Sequence, residues 1–234
     1  DPDTIVLPPD VTTQLRSYVE TIASMYHSNP FHSFDHACHV TMSITKLLSR
    51  VVTPDTIDYS NMRYTAKAAD STLHEFTYGI TSDPLTQFAV AFSALIHDVD
   101  HQGVPNAQLV KEETDIAKEY RNQSVAEQNS VDLAWELLME PAYLDLRHFI
   151  YVDQEEHDRF RQLVVNAVMA TDIMDSELGQ LRRRRWDKAF DPETSSESDL
   201  NAKVNKKETS NRKATIVIEH LIQASDVAHT MQHW

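Results

Sequence analysis

Apolar residues recur three and four positions apart along most of the chain, the spacing that gathers them on one face of an α-helix. Val11, Leu15, Tyr18, Val19, Ile22 and Met25 predict a first helix, with Asp10 as its N-cap. The stretch "SNP" interrupts it. Asn29 is a good cap and Pro30 suits a first helical turn, so a second helix is predicted from there through Val40, Ile44, Leu47, Leu48 and Val51. A third, strongly apolar, carries Leu85, Phe88, Ala89, Phe92, Leu95 and Ile96 into "HDVDHQGVP", where Gly103 and Pro105 stop it.

Shorter helices are predicted at 106–120, 124–139 and 142–151. Asp153 and Glu156 form a capping-box-like pattern ahead of Phe160, Leu163, Val164, Ala167 and Val168, a helix that ends on "MATD". The last, at 214–225, carries Ile216, Ile218, Leu221 and Ile222 into "SDVAH". Two stretches lack the period. Residues 52–83 read as a long loop or insertion, and 191–213, with almost nothing to bury, as a disordered insertion. The fold class is all-α, a compact multi-helix bundle with two long polar insertions.

Composition agrees, since three glycines in 234 residues leave few positive-φ positions for a turn-rich β fold. Lys and Arg total 21 against 36 Asp and Glu, a net charge of −15. That opposes attraction to nucleic acid or to an anionic membrane surface, so neither is an expected partner, and a phosphate substrate would need cations supplied locally. The single Cys38 cannot close an internal disulfide, which suits a reducing compartment. No apolar run approaches the roughly 18 residues of a membrane span, and no signal segment leads the chain. A cytoplasmic location follows, in a free protein or in the cytosolic part of a membrane-attached one. The chain begins at Asp1 and stops at "AHTMQHW" with a helical pattern still running, which is expected of a fragment cut at both ends.

Chemistry concentrates where the apolar stripes end. His32 and His36, four apart on the predicted second helix, share a face and could bind a metal or exchange a proton; alone, such a pair is a common accident. "HDVDH" at 97–101 sets two imidazoles and two carboxylates at the end of a core helix, where charge is costly unless paired or bound to a cation. His97 offers nitrogen and Asp98 an oxygen able to bridge two ions, a set better suited to zinc with magnesium or manganese than to calcium. Asp226 again ends an apolar helix with a carboxylate.

The order His36, His97-Asp98, Asp226 resembles the metal signature of the HD hydrolase superfamily. Within it, "NPFHSFDH", "HDVDHQGVPN", "YRNQSVAEQNS", "VMATD" and "ASDVAH" resemble the class I 3′,5′-cyclic nucleotide phosphodiesterase catalytic domain in order and spacing, from about Tyr26 onward. The resemblance implies hydrolysis of cyclic AMP or cyclic GMP to the 5′-monophosphate in signal transduction. It implies that His36, His97, Asp98 and Asp226 hold a first ion, zinc. Asp98 would also reach a second, magnesium or manganese, whose waters are held by His101, Glu127 and Thr171. His32 would be the general acid that protonates the leaving 3′ oxygen, kept charged by a neighbour such as Glu127. Phe31, Ile173 and His229 would line the nucleotide pocket.

The family's E-N-H-H is Glu127, Gln128, Asn129 and Ser130 here, which predicts altered geometry around the site rather than loss of metal. The family's purine-binding segment lies beyond Trp234, so the choice between cyclic AMP and cyclic GMP is open and the segment alone is expected to be inactive. Homodimerisation and upstream regulatory or membrane domains are also open. The competing readings are another HD-type nucleotide phosphohydrolase and a catalytically silent regulatory module of the same fold.

Overall fold

The structure, a computed structural model, describes residues 6–51, 74–190 and 202–228. The described residues include ten α-helices and one 3₁₀ turn, joined by loops and turns, with no β-strand among them. They are α1 (Pro9–Ser24), α2 (Phe34–Leu48), α3 (Pro84–Ile96), α4 (Asn106–Lys111), α5 (Asp115–Glu119), α6 (Val125–Met139), α7 (Leu144–Ile150) after a turn at Pro141–Tyr143, α8 (Gln154–Met169), α9 (Ser176–Phe190) and α10 (Ala202–Ala228).

The third helix organises the bundle because it is apolar on both sides. Ala89, Phe92 and Ile96 face one core with Tyr18 and Ile22 of α1, Val131 and Leu138 of α6, and Phe160 and Val164 of α8. Val90 and Ala94 face a second core with Val40 and Ile44 of α2, Ala167 of α8, and Ile218 and Ile222 of α10. A helix with two apolar faces is stable only when covered on both, and α2 and α8 supply that cover. The first core is closed by aromatic rings. Phe160 lies 5.4 Å from Phe92, 5.9 Å from Phe88 and Trp135, and 6.1 Å from Tyr151. Tyr18 is also buried there and donates its hydroxyl to the Ala134 carbonyl at 2.8 Å.

Several boundaries differ from those the periodicity predicts. The second helix starts at Phe34, with Ser33 as its cap accepting from the His36 N–H at 3.3 Å, so Asn29, Pro30 and His32 lie in the turn before it. Asn29 is not a cap because no helix starts after it; its side-chain amide instead donates to the His101 carbonyl at 2.7 Å. The first helix is entered through Pro8 and Pro9, and Asp10 falls inside its first turn. The span 106–120 divides into α4 and α5.

Within the expected insertion at 52–83, residues 74–83 form turns that bury Ile80 against the second core, while 52–73 lie outside the described residues. The expected disorder at 191–213 is corrected over 202–213, which form the first turns of α10. The physical reason is that those polar turns prolong a helix anchored by Ile216, Ile218 and Ile222, and Lys213 lies over the rings of Tyr78 and Phe190 at 5.7 and 5.2 Å. Residues 191–201 are outside the described set. Among the described residues no helix is long and apolar enough to cross a membrane.

Phe160→Ala is expected to cost about 3–5 kcal/mol by opening a cavity under four rings, whereas Phe149→Ala, half exposed on α7, should stay within about 0.5 kcal/mol. Urea denaturation midpoints check both.

Candidate metal centre

Three helix termini meet beside the second core. His36 comes from the first turn of α2, His97 and Asp98 from the turn that ends α3, and Asp226 from the end of α10. His36 and His97 are buried and Asp98 nearly so. His36 Nε2 lies 2.9 Å from Asp226 Oδ1 and 3.7 Å from Asp98 Oδ2; His97 Nε2 lies 3.2 Å from Asp98 Oδ2 and 3.7 Å from Asp226 Oδ1. His97 Nδ1 donates to the Ala94 carbonyl at 2.9 Å, which orients the ring so that Nε2 faces the cluster.

His97 Nε2 and Asp98 Oδ2 are buried without a hydrogen bond. Buried polar atoms left in this way cost free energy, and two imidazole nitrogens facing two carboxylates is a donor set that a divalent cation satisfies. The residues therefore fit a metal ion. Two donor groups share Asp98: an inner one of His36, His97 and Asp98, and an outer one of His32, Asp98 and His101.

Charges respond accordingly. Burial would depress the His97 imidazole, but the carboxylates of Asp98 and Asp226 outweigh it and hold it well above its ordinary value. Burial would raise the two carboxyls, and the imidazoles of His97 and, for Asp226, His36 bring both below the ordinary range.

His32 and His101 stack with centroids 3.7 Å apart, half-buried at the edge of the cluster. Burial pulls His101 down to about 4 and lowers His32, with Asp98 and Asp226 opposing both shifts. The Phe31 ring packs 4.3 Å from the His36 ring and 5.0 Å from that of His32.

Glu127, in the first turn of α6, accepts from Asn106 Nδ2 at 2.8 Å. The same amide reaches Asp172 Oδ2 at 3.3 Å, and Ser124 Oγ donates to that oxygen at 2.7 Å. Burial, with Asp172 and Asp98 adding like charge, pushes Glu127 up to about 7 against the Asn106 hydrogen bond that favours its anion.

Thr171 follows α8 and gives its hydroxyl to the Val168 carbonyl at 2.7 Å. Ile173 is 57 % exposed on the same loop, and His229 lies outside the described residues. Asn129 and Ser130 grip the 97–101 turn: Asn129 Nδ2 donates to Asp100 Oδ2 at 3.0 Å, and the buried Ser130 hydroxyl to the Val99 carbonyl at 2.7 Å.

Asn106 and Asp172 end the motifs "HDVDHQGVPN" and "VMATD" but receive no role from the sequence. The rule that found Asp226, a carboxylate ending an apolar helix, finds Asp172 too; nothing local marks Asn106. Arg182 donates to the Asp172 carbonyl at 2.8 Å, and Arg185 pairs with the buried Glu219, while Arg183 and Arg184 are exposed. Beside the turn, Gly103 has φ +76, and a Cβ there would come within 2.5 Å of Asn29 Oδ1.

The family model described as 3'5'-cyclic nucleotide phosphodiesterase matches residues 31–234. The chain is 29% identical over 161 residues to the mouse dual specificity calcium/calmodulin-dependent 3',5'-cyclic nucleotide phosphodiesterase 1C, covering 68% of this chain and 19% of that protein. It is 30% identical over 158 residues to the Drosophila melanogaster 3',5'-cyclic-AMP phosphodiesterase, isoform F, covering 67% and 20%. The chain thus spans about a fifth of the length of the curated relatives it matches. The crystal structure of the phosphodiesterase domain of the RhoPDE fusion protein from the choanoflagellate Salpingoeca rosetta superposes with a TM-score of 0.60 at 23% identity, over 92% of this chain and 55% of that one, and shares the fold.

Glu127 gives the metal-free protein a definite pH response. Its folded value, about 7, exceeds the ordinary 4.5, so the folded state holds the extra proton between those limits. The resulting stability is full below about 4.5 and lost as pH rises towards 7. Glu127→Gln is expected to flatten that part of the curve, read from denaturation midpoints of chelated protein between pH 4.5 and 7.5.

Proposed function

The chain belongs to the 3',5'-cyclic nucleotide phosphodiesterase family, and from that premise we propose that it hydrolyses cyclic AMP or cyclic GMP to the 5′-monophosphate with two divalent ions, zinc at the inner site and magnesium or manganese at the outer. The observation that carries the reading is the convergence of His36, His97, Asp98 and Asp226 from three helix ends, with His97 Nε2 and Asp98 Oδ2 buried and unsatisfied.

His36, His97, Asp98 and Asp226 would hold the inner ion, and Asp98 would also serve the outer one. The ions, when bound, neutralise phosphoryl oxygens and make water a competent nucleophile at neutral pH. This local positive charge is what lets an anionic substrate approach a chain of net charge −15.

His101, Glu127 and Thr171 would hold the waters around the outer ion. Asn106 fixes the Glu127 carboxyl by holding Oε2, and a group with a value near 7 can exchange a proton at neutral pH. His32 donates its proton to the departing 3′ oxygen. Stacking on His101 fixes its plane, and partial burial makes its imidazolium the stronger acid. Phe31, Ile173 and His229 contribute the wall for the nucleoside, Phe31 from its position over the His36 ring.

The test is to incubate full-length protein with cyclic AMP and cyclic GMP, and to follow 5′-monophosphate by chromatography and metal content by emission spectroscopy. Asp98→Ala and Asp226→Ala should lose stoichiometric metal and turnover together. His32→Ala should lower turnover about a hundredfold or more and keep its metal. A parent protein without stoichiometric metal would sink the reading, and metal loss in His32→Ala would make His32 a ligand instead of an acid.

A further inference from the structure

Asp98 and His101 sit in one short turn whose shape depends on Asp100. That residue has φ +59, a left-handed conformation that a non-glycine residue keeps only when its surroundings hold it there. Its N–H donates to the Met25 carbonyl at 3.1 Å, and its Oδ1 lies 2.6 Å from His27 Nε2, which ties it to the end of α1. Gln102 Nε2 reaches its carbonyl at 3.0 Å and Oδ1 at 3.3 Å. Its Oδ2 accepts from Asn129 Nδ2 on α6 at 3.0 Å. The same helix carries Glu127 two residues earlier, and its Ser130 hydroxyl holds the Val99 carbonyl.

We propose that Asn129 is a positioning residue for the outer site: through Asp100 it fixes the turn bearing Asp98 and His101 against the helix bearing Glu127, and so sets how tightly the outer ion is taken between Asp98 and the water-holding His101 and Glu127. Asn129 touches neither ion site itself. His36 and Asp226 stand on α2 and α10, which the Asn129 contact does not reach, so the inner ion keeps two of its four donors in place when that contact is lost. The inference rests on the proposed metal-dependent function, but it is read out by ion binding and not by turnover.

Full-length protein is stripped, reloaded with one equivalent of Zn2+, and titrated with Mn2+ followed by electron paramagnetic resonance. Asn129→Ala should weaken Mn2+ binding about tenfold with Zn2+ stoichiometry unchanged, the size of effect typical when a partner behind the ligands is removed. Asn129→Asp, facing the Asp100 carboxylate, should weaken it further. The double variant Asp100→Asn/Asn129→Asp reverses the hydrogen bond and should recover affinity relative to Asn129→Asp. If Asn129→Asp does not fold, Asn129→His, whose ring N–H can still donate to Asp100, should bind Mn2+ more tightly than Asn129→Ala. Equal Mn2+ affinities in parent and Asn129→Ala, or no recovery in the double variant and in Asn129→His, would overturn the inference alone. A parent that binds neither ion would overturn it together with the functional reading.

Discussion

The structure depends on the burial of His97 and Asp98 at the point where its most apolar helix ends. Two ionisable groups inside a helical core are tolerable only if other charges come to them. Helix α2 brings His36 and α10 brings Asp226, and both helices are apolar enough on the neighbouring turns to pack there in their own right. The second core and the charged cluster are consequently one construction, with Ile44, Val90 and Ile222 covering what the imidazoles and carboxylates could not leave wet.

Around that cluster the same residue types are driven in opposite directions by their neighbours. Asp226 faces imidazoles and is held ionised; Glu127, buried and near Asp172 and Asp98, is driven towards neutrality. A fold that separates carboxyls in this way provides anions to hold cations and a nearby group able to trade protons. Asn106 mediates between the two regimes. Its amide nitrogen serves both Glu127 and Asp172, and its oxygen accepts from the Ala126 N–H at 3.0 Å, so one side chain fixes the start of α6 and the carboxyl that α6 carries.

The helical class and the core were legible because Phe92, Phe160 and Ile222 sit on strict helical spacing, and spacing is a local signal. The four cluster residues were legible because a charged group that ends an apolar stripe must find a counter-charge or a cation when its helix is buried. What escaped were decisions made by distant contacts. Asn29 is a capping residue by composition, yet the helix starts five residues later at Phe34, and the Asn29 amide donates to the His101 carbonyl 72 residues away. Residues 202–213 carry almost no apolar side chains, and their helix exists because it extends one that is anchored further on. Asn129 and Ser130 read as losses near the site because no sequence pattern announces that their side chains grip Asp100 and Val99.

His36 and Asp226 touch across 190 residues of chain. Closing so long a loop is entropically slow, and until α10 arrives His36, His97 and Asp98 must wait without their fourth partner. During synthesis His36, His97 and Asp98 are all made well over a hundred residues before Asp226. An ion captured by those three donors would fasten the arriving helix as it docks, so that maturation of the fold and acquisition of metal become a single event.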